Sequence, residues 1–175
     1  RTLLLTILFF GMNHLSTLLA QRVHSLVSTI QVDSIMTVKP GASKMAFNPI
    51  TQSIFYSSSD GKIYEVFETV GVDSLRFDAS QHGLTRVQGL CFLDSTMFLA
   101  GNNWGNTTGV GMIVKGTLMP NGTRQWTTIV ITEAYPTSSP YGDHGFTGIN
   151  LDPSGQFLYF SGGSRTSFGE VESNS

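Results

Sequence analysis

Three segments of the chain follow one plan: MAFNPITQSIFYSSSDG (45–61), LCFLDSTMFLAGNNWG (90–105) and INLDPSGQFLYFSGGS (149–164). Each has an apolar strand, an Asn or Asp, a short turn, a second apolar strand and then Gly, Ser or Asn. A unit this small cannot bury its own apolar face, so it must stack on copies of itself, and this restricts the fold more than any other feature. Aligning Phe47, Leu93 and Leu151 spaces the units by 46 and 58 residues. Further strand patterns lie between them. KIYEVFE follows the Asp60-Gly61 turn and leads to SLRFD, while GVGMIVKG and RQWTTIVITE flank Pro120-Asn121-Gly122. These runs alternate apolar and polar residues, or concentrate aromatic and β-branched ones, as half-buried strands do. After residue 20 no window carries an apolar face at helical spacing.

The expectation is an all-β chain of four-stranded antiparallel blades, a β-propeller. A β-sandwich also spaces short strands evenly, but the recurring strand–turn–strand unit favours the propeller. The expected blades cover residues 41–82, 83–140 and 141–175, so the propeller domain at 41–175 is incomplete, with about two and a half blades. Residues 21–40 form a lead-in, and residues 1–20 read as a signal peptide, apolar from Leu3 to Phe10 and cleavable after Ala20. Asn13, His14 and Ser16 interrupt that run before it can span a bilayer. The chain is therefore expected to be secreted or periplasmic, with no stable membrane span after cleavage.

With 40% hydrophobic and 13% charged residues, the chain can fill a core. Its net charge of −2 and lack of any Lys/Arg cluster give no attraction to a phosphate backbone, so nucleic acid is not an expected partner. The single cysteine, Cys91, lies in the apolar run GLCFL and reads as a buried, inert thiol. Two glycosylation triplets, at Asn106 and Asn121, have meaning only in a eukaryotic secretory pathway.

Propeller sites lie on loops around the central axis. Gln88 stands before GLCFL and Asp143-His144 before GFTGINLD, matching places ahead of two innermost strands. An imidazole titrating near its ordinary value of about 6.5 serves as a general base at neutral pH. The alternative is a loop histidine beside a turn-forming acid. Metal ligation has no support, because His14, His24, His82 and His144 lack ligand spacing. GNNWGNTTGVG lacks the strand–glycine–helix setting of a phosphate loop, so its glycines read as turns. Trp104 and Trp126 are open to two readings, sugar stacking or packing.

The Asp143-His144 pair, the glycine four residues after the histidine, LDPSGQFLYFSGGS and, one blade earlier, VQGLCF together resemble the soluble quinoprotein glucose/sorbosone dehydrogenases. The resemblance covers roughly residues 40–172. It implies a six-bladed propeller that holds pyrroloquinoline quinone (PQQ) over its axis with calcium, of which this chain is the amino-terminal part. It further implies that His144 removes a hydroxyl proton as hydride passes to the quinone, while Asp143 and Gln88 contact the cofactor. The calcium ligands would lie outside this chain, so no metal-binding residue is assigned, and the chain alone is not expected to turn over. The implied partners are a sugar or alcohol substrate and an unspecified electron acceptor. Two other readings remain: a non-catalytic propeller that binds carbohydrate or protein, and a hydrolytic propeller of the lactonase type, for which Asp143 and Asn150 alone are a thin ligand set.

Overall fold

The computed structural model describes residues 34–137 and 145–163. The chain divides into two units, Arg1–Ile35 and Met36–Ser175, and every element below belongs to the second. The expected signal peptide therefore lies outside the described residues, as do Asp143 and His144. Among the described residues, no helix is long and apolar enough to cross a membrane.

The described chain is all-β apart from one short helix. Strands β1 (Ala42–Asn48), β2 (Ser53–Ser58), β3 (Ile63–Phe67) and β4 (Val72–Phe77) form a four-stranded antiparallel meander, sheet A. A second meander, sheet B, contains β5 (Arg86–Leu93), β6 (Thr96–Trp104), β7 (Thr108–Leu118) and β8 (Arg124–Ile131). The short β9 (Tyr135–Pro136) pairs with the start of β7, short of the stretch that β8 pairs. Strands β10 (Phe146–Leu151) and β11 (Leu158–Gly162) pair antiparallel as sheet C.

Local chemistry sets the turns. Asn48 Oδ1 accepts from the Ile50 and Thr51 amides at 3.0 and 3.3 Å, which shapes the β1–β2 turn. Asp152 does the same in sheet C, taking the Ser154 and Phe157 amides at 3.1 and 2.8 Å. Gly61 closes the β2–β3 turn at φ +80°, where a Cβ would also stand 2.5 Å from the Leu84 carbonyl oxygen. That close approach is made by the connector between sheets A and B, so one glycine serves both the turn and the packing.

Sheet B is apolar on both faces because it has a sheet on either side. On one face Leu90, Leu99 and Val114 join Phe55 and Ile63 of sheet A. On the other, Cys91, Phe98 and Ile113 join Ile149 of sheet C. Neighbouring residues of one strand thus enter opposite cores, which is why GLCFL, MFLA and MIV read as unbroken apolar runs. Sheet A is different: its far face carries a row across all four strands, Met45–Tyr56–Tyr64–Leu75, exposed at its ends (Met45 60%, Leu75 47%) and buried at Tyr56.

The connector from sheet A to sheet B holds helix α1 (Ala79–His82), capped by Asp78 and Gln81 in a reciprocal box. His82 is buried behind it. The Leu84 amide donates to His82 Nδ1 at 3.2 Å, so Nε2 carries the proton and donates to the Gly61 carbonyl at 2.9 Å. Burial holds the imidazole pKa below its usual value, although the Gly61 carbonyl and the Asp78 charge oppose this. Trp126 packs edge-on against both His82 and Phe77, with ring centroids 5.4 and 5.2 Å apart.

Two outcomes follow. Leu99, fully buried between sheets A and B, should cost about 2–5 kcal/mol on Leu99→Ala, whereas the exposed Ile129→Ala should cost at most about 0.5 kcal/mol in urea unfolding. His82 binds a proton more readily unfolded than folded, so its contribution to stability is complete above about pH 6.5 and declines as pH falls below that value. Stability measured from pH 7.5 to 5.5 should therefore fall less steeply in His82→Gln than in the wild-type chain.

Candidate functional site

The polar residues that matter converge where β5 and β10, the first strands of sheets B and C, run side by side. Each first strand carries a β-bulge near its start: Ser43 in β1, Gln88 in β5 and Thr147 in β10. Aligned on the bulges, the repeats are spaced by 45 and 59 residues. Phe92, not Leu93, then matches Phe47 and Leu151, which puts the sequence alignment one residue out of register in sheet B. The same register corrects the expected equivalence of Gln88 with Asp143-His144. Gln88 lies inside β5, and its counterpart in sheet C is Thr147. The sequence pattern missed this because a bulge adds a residue without altering the apolar alternation that follows it.

Each bulge side chain meets a polar side chain on the neighbouring strand. The Ser43 hydroxyl donates to the Val87 carbonyl at 2.8 Å, which links sheet A to β5 and leaves its oxygen to accept from Ser57 at 3.0 Å. Thr147 and Ser161 pair at 3.2 Å. In sheet B the longer Gln88 reaches Asn102, at 3.0 Å.

Asn102 is the centre of the site and is fully buried. Its Oδ1 accepts from the Phe146 amide at 2.9 Å and from the Tyr135 hydroxyl at 3.1 Å. Its Nδ2 donates to the Phe146 carbonyl at 3.1 Å and to Gln88 Oε1 at 3.0 Å. A primary amide has two donor hydrogens and two acceptor lone pairs, so every site on Asn102 is used. Tyr135 and Phe146 stand on either side of residues 138–144, so one side chain anchors the chain before and after the segment that includes Asp143 and His144. Gly145 permits this approach, because a Cβ there would lie 2.1 Å from Asn102 Oδ1.

The next residue works on the opposite side. Asn103 Nδ2 donates to the Gly83 carbonyl at 2.7 Å, and its Oδ1 accepts from the Thr85 amide at 2.7 Å, holding the end of the connector against β6. GNNW is therefore strand, and the turn is confined to residues 105–107. Successive side chains of a strand face opposite ways, so two adjacent asparagines secure two different seams. The glycines of this stretch, expected in turns, divide: Gly105 lies in the turn, whereas Gly101, Gly109 and Gly111 are in strands, and the Asn pair after the apolar run is the signal that marks both residues.

Other candidates resolve as packing. Trp126 is enclosed by Phe77 and His82, and the Arg86 guanidinium lies 4.6 Å over the ring of Trp104. Cys91 is buried and burial pushes its thiol up to about 11, so it is neutral at physiological pH. Among the described residues, no group of three or more His, Cys, Asp or Glu converges to hold a metal ion. The site that remains is neutral and built from amides and hydroxyls.

No protein-family profile matches the sequence, and no curated protein matches it. Solved structures do share its fold. The PQQ-bound aldose sugar dehydrogenase of Streptomyces coelicolor superposes with a TM-score of 0.58 at 14% identity, over 79% of this chain and 42% of that one. A Thermus thermophilus protein assigned as an oxidoreductase (glucose dehydrogenase) superposes with a TM-score of 0.57 at 16% identity, over 76% and 40%. The chain thus spans less than half the length of either structure, and identities this low establish a shared fold at this level only.

Gly145→Ala should displace Asn102 and destabilise the protein by about 1–3 kcal/mol in urea unfolding, the usual cost of overpacking a closed site.

Proposed function

We propose that this chain forms blades of an exported, PQQ-dependent sugar or alcohol dehydrogenase built as a six-bladed β-propeller. The observation that carries this reading is the superposition of most of the chain on a PQQ-bound sugar dehydrogenase. Two features of the chain support it. Sheets A, B and C stack face to face through two apolar cores, as blades of a ring do. The exposed apolar side chains at the two ends of the row on the far face of sheet A, Met45 and Leu75, are of the kind a further blade would cover. The apolar stretch from Leu3 to Phe10 supports export to a secreted or periplasmic location.

The described residues fit the hydrogen-bonding part of a quinone contact. PQQ presents carboxylate and quinone oxygens, all of them acceptors. Gln88 is half-buried in its bulge and gives its Oε1 to Asn102, while its Nε2 has no partner among the described residues. A neutral donor at that place suits an acceptor ligand. Bound PQQ would supply the hydride acceptor, and calcium beside it would come from ligands outside this chain. In this reading His144 is the base: an imidazole nitrogen takes the proton from the substrate hydroxyl, and Asp143, with Gln88, contacts the cofactor. The substrate is a small sugar or alcohol, and an external acceptor reoxidises the cofactor.

In the full-length protein loaded with PQQ and calcium, His144→Ala should lower dye-coupled oxidation of aldoses by about 10²–10⁴-fold, the contribution of a positioned general base. Binding of PQQ, followed by its absorbance, should change little. Undiminished turnover in His144→Ala would remove the proposed base.

A further inference from the structure

The hydrogen bonds around Asn102 form a directed chain whose sense is decided by the main chain. A peptide N–H can only donate and a peptide C=O can only accept. Because the Phe146 amide donates to one end of the Asn102 side chain and its carbonyl accepts from the other, the two ends are assigned as Oδ1 and Nδ2 without ambiguity. The Tyr135 hydroxyl, which donates to Oδ1, fills the second acceptor site. The second hydrogen on Nδ2 must then go to Gln88, and only Gln88 Oε1 can receive it. With Oε1 turned inward, the two hydrogens of Gln88 Nε2 are turned away from Asn102.

We propose that Asn102 is a positioning residue that, through this relay, sets Gln88 as an outward hydrogen-bond donor, so that the bulge of β5 accepts a ligand bearing carboxylate or carbonyl oxygens. The ligand itself, PQQ, is taken from the reading above; the relay does not depend on it. The burial of Asn102 gives the arrangement its force. Reversing the Gln88 amide would oppose two N–H groups inside the protein and leave a buried donor unpaired, at a cost of about 1–3 kcal/mol. A solvated glutamine has no such constraint.

The chemistry yields an unusual expectation: two different substitutions should have one effect. Gln88→Glu keeps an oxygen for Asn102 but presents an anionic acceptor outward. Asn102→Asp leaves Gln88 untouched, yet its new oxygen accepts from Gln88 Nε2 and turns Oε1 outward. In the full-length protein both variants should bind PQQ about tenfold to a hundredfold more weakly than wild type in calorimetric titration, the worth of a hydrogen bond to a charged group. Gln88→Glu preserves all four bonds to Asn102, so it decides the matter if Asn102→Asp does not fold. Wild-type affinity in Gln88→Glu overturns the proposal, as does wild-type affinity in a folded Asn102→Asp.

Hydrogen exchange of the side-chain amides, read by NMR in the wild-type protein without ligand, tests the relay independently. Asn102 Nδ2 protons should exchange slowly and Gln88 Nε2 protons quickly. If the wild-type protein binds no PQQ, the quinone reading fails, and this exchange pattern alone decides the relay. Fast exchange at Asn102, or protection at Gln88, overturns it.

Discussion

Sheet B must be buried on both faces, and the remaining architecture follows from that requirement. Its inner strands send consecutive apolar residues to opposite sides, Leu90 and Cys91 in β5, Phe98 and Leu99 in β6, Ile113 and Val114 in β7. Exposure of either set to water would cost about 25 cal/mol for each Å² uncovered. Sheets A and C are the covers. The connector from sheet A has to pass close enough to Gly61 to seal one side, and β10 has to lie along β5 to seal the other.

Hydrophobic contact brings the sheets together but does not fix their offset, since apolar surfaces slide at little cost. The seams are fixed by a few polar groups with directional partners, of which His82 and Asn102 are buried. His82 ties the connector to the β2–β3 turn through Nε2, which donates to the Gly61 carbonyl, while Nδ1 accepts from Leu84 within the connector itself. Asn103 holds the end of the connector, and Asn102 holds the backbone of Phe146 by both its amide and its carbonyl. His82 and Asn102 are expensive to bury unpaired, so only a register that satisfies them is stable. The same directionality gives the site its chemical sense, because a fully used amide imposes an orientation on its neighbour.

How much of this was legible in the sequence depended on the range of the interaction involved. Strand runs, the Asp60-Gly61 and Asn121-Gly122 turns and the buried state of Cys91 rest on neighbouring residues, and they read correctly. Gln88 was recognisable as a notable polar residue beside an apolar strand. Its place in a bulge was not, since a bulge is defined only against a partner strand. Asn102 was invisible for a related reason: its partners, Gln88, Tyr135 and Phe146, are 14, 33 and 44 residues away. An asparagine between glycine and a second asparagine looks like a turn until those partners are brought beside it.

The sequence by itself determined the repeating strand–turn–strand unit, the all-β class and the need for sheets to stack, because these follow from apolar periodicity and local turn chemistry. Tertiary structure decided which residues share a seam, that Thr147 rather than His144 corresponds to Gln88, and that a buried asparagine organises the polar end of sheets B and C. The physical reason is that burial and hydrogen-bond direction are properties of a place in the fold. A residue acquires them only when distant segments exclude water around it and leave its polar atoms a single set of partners.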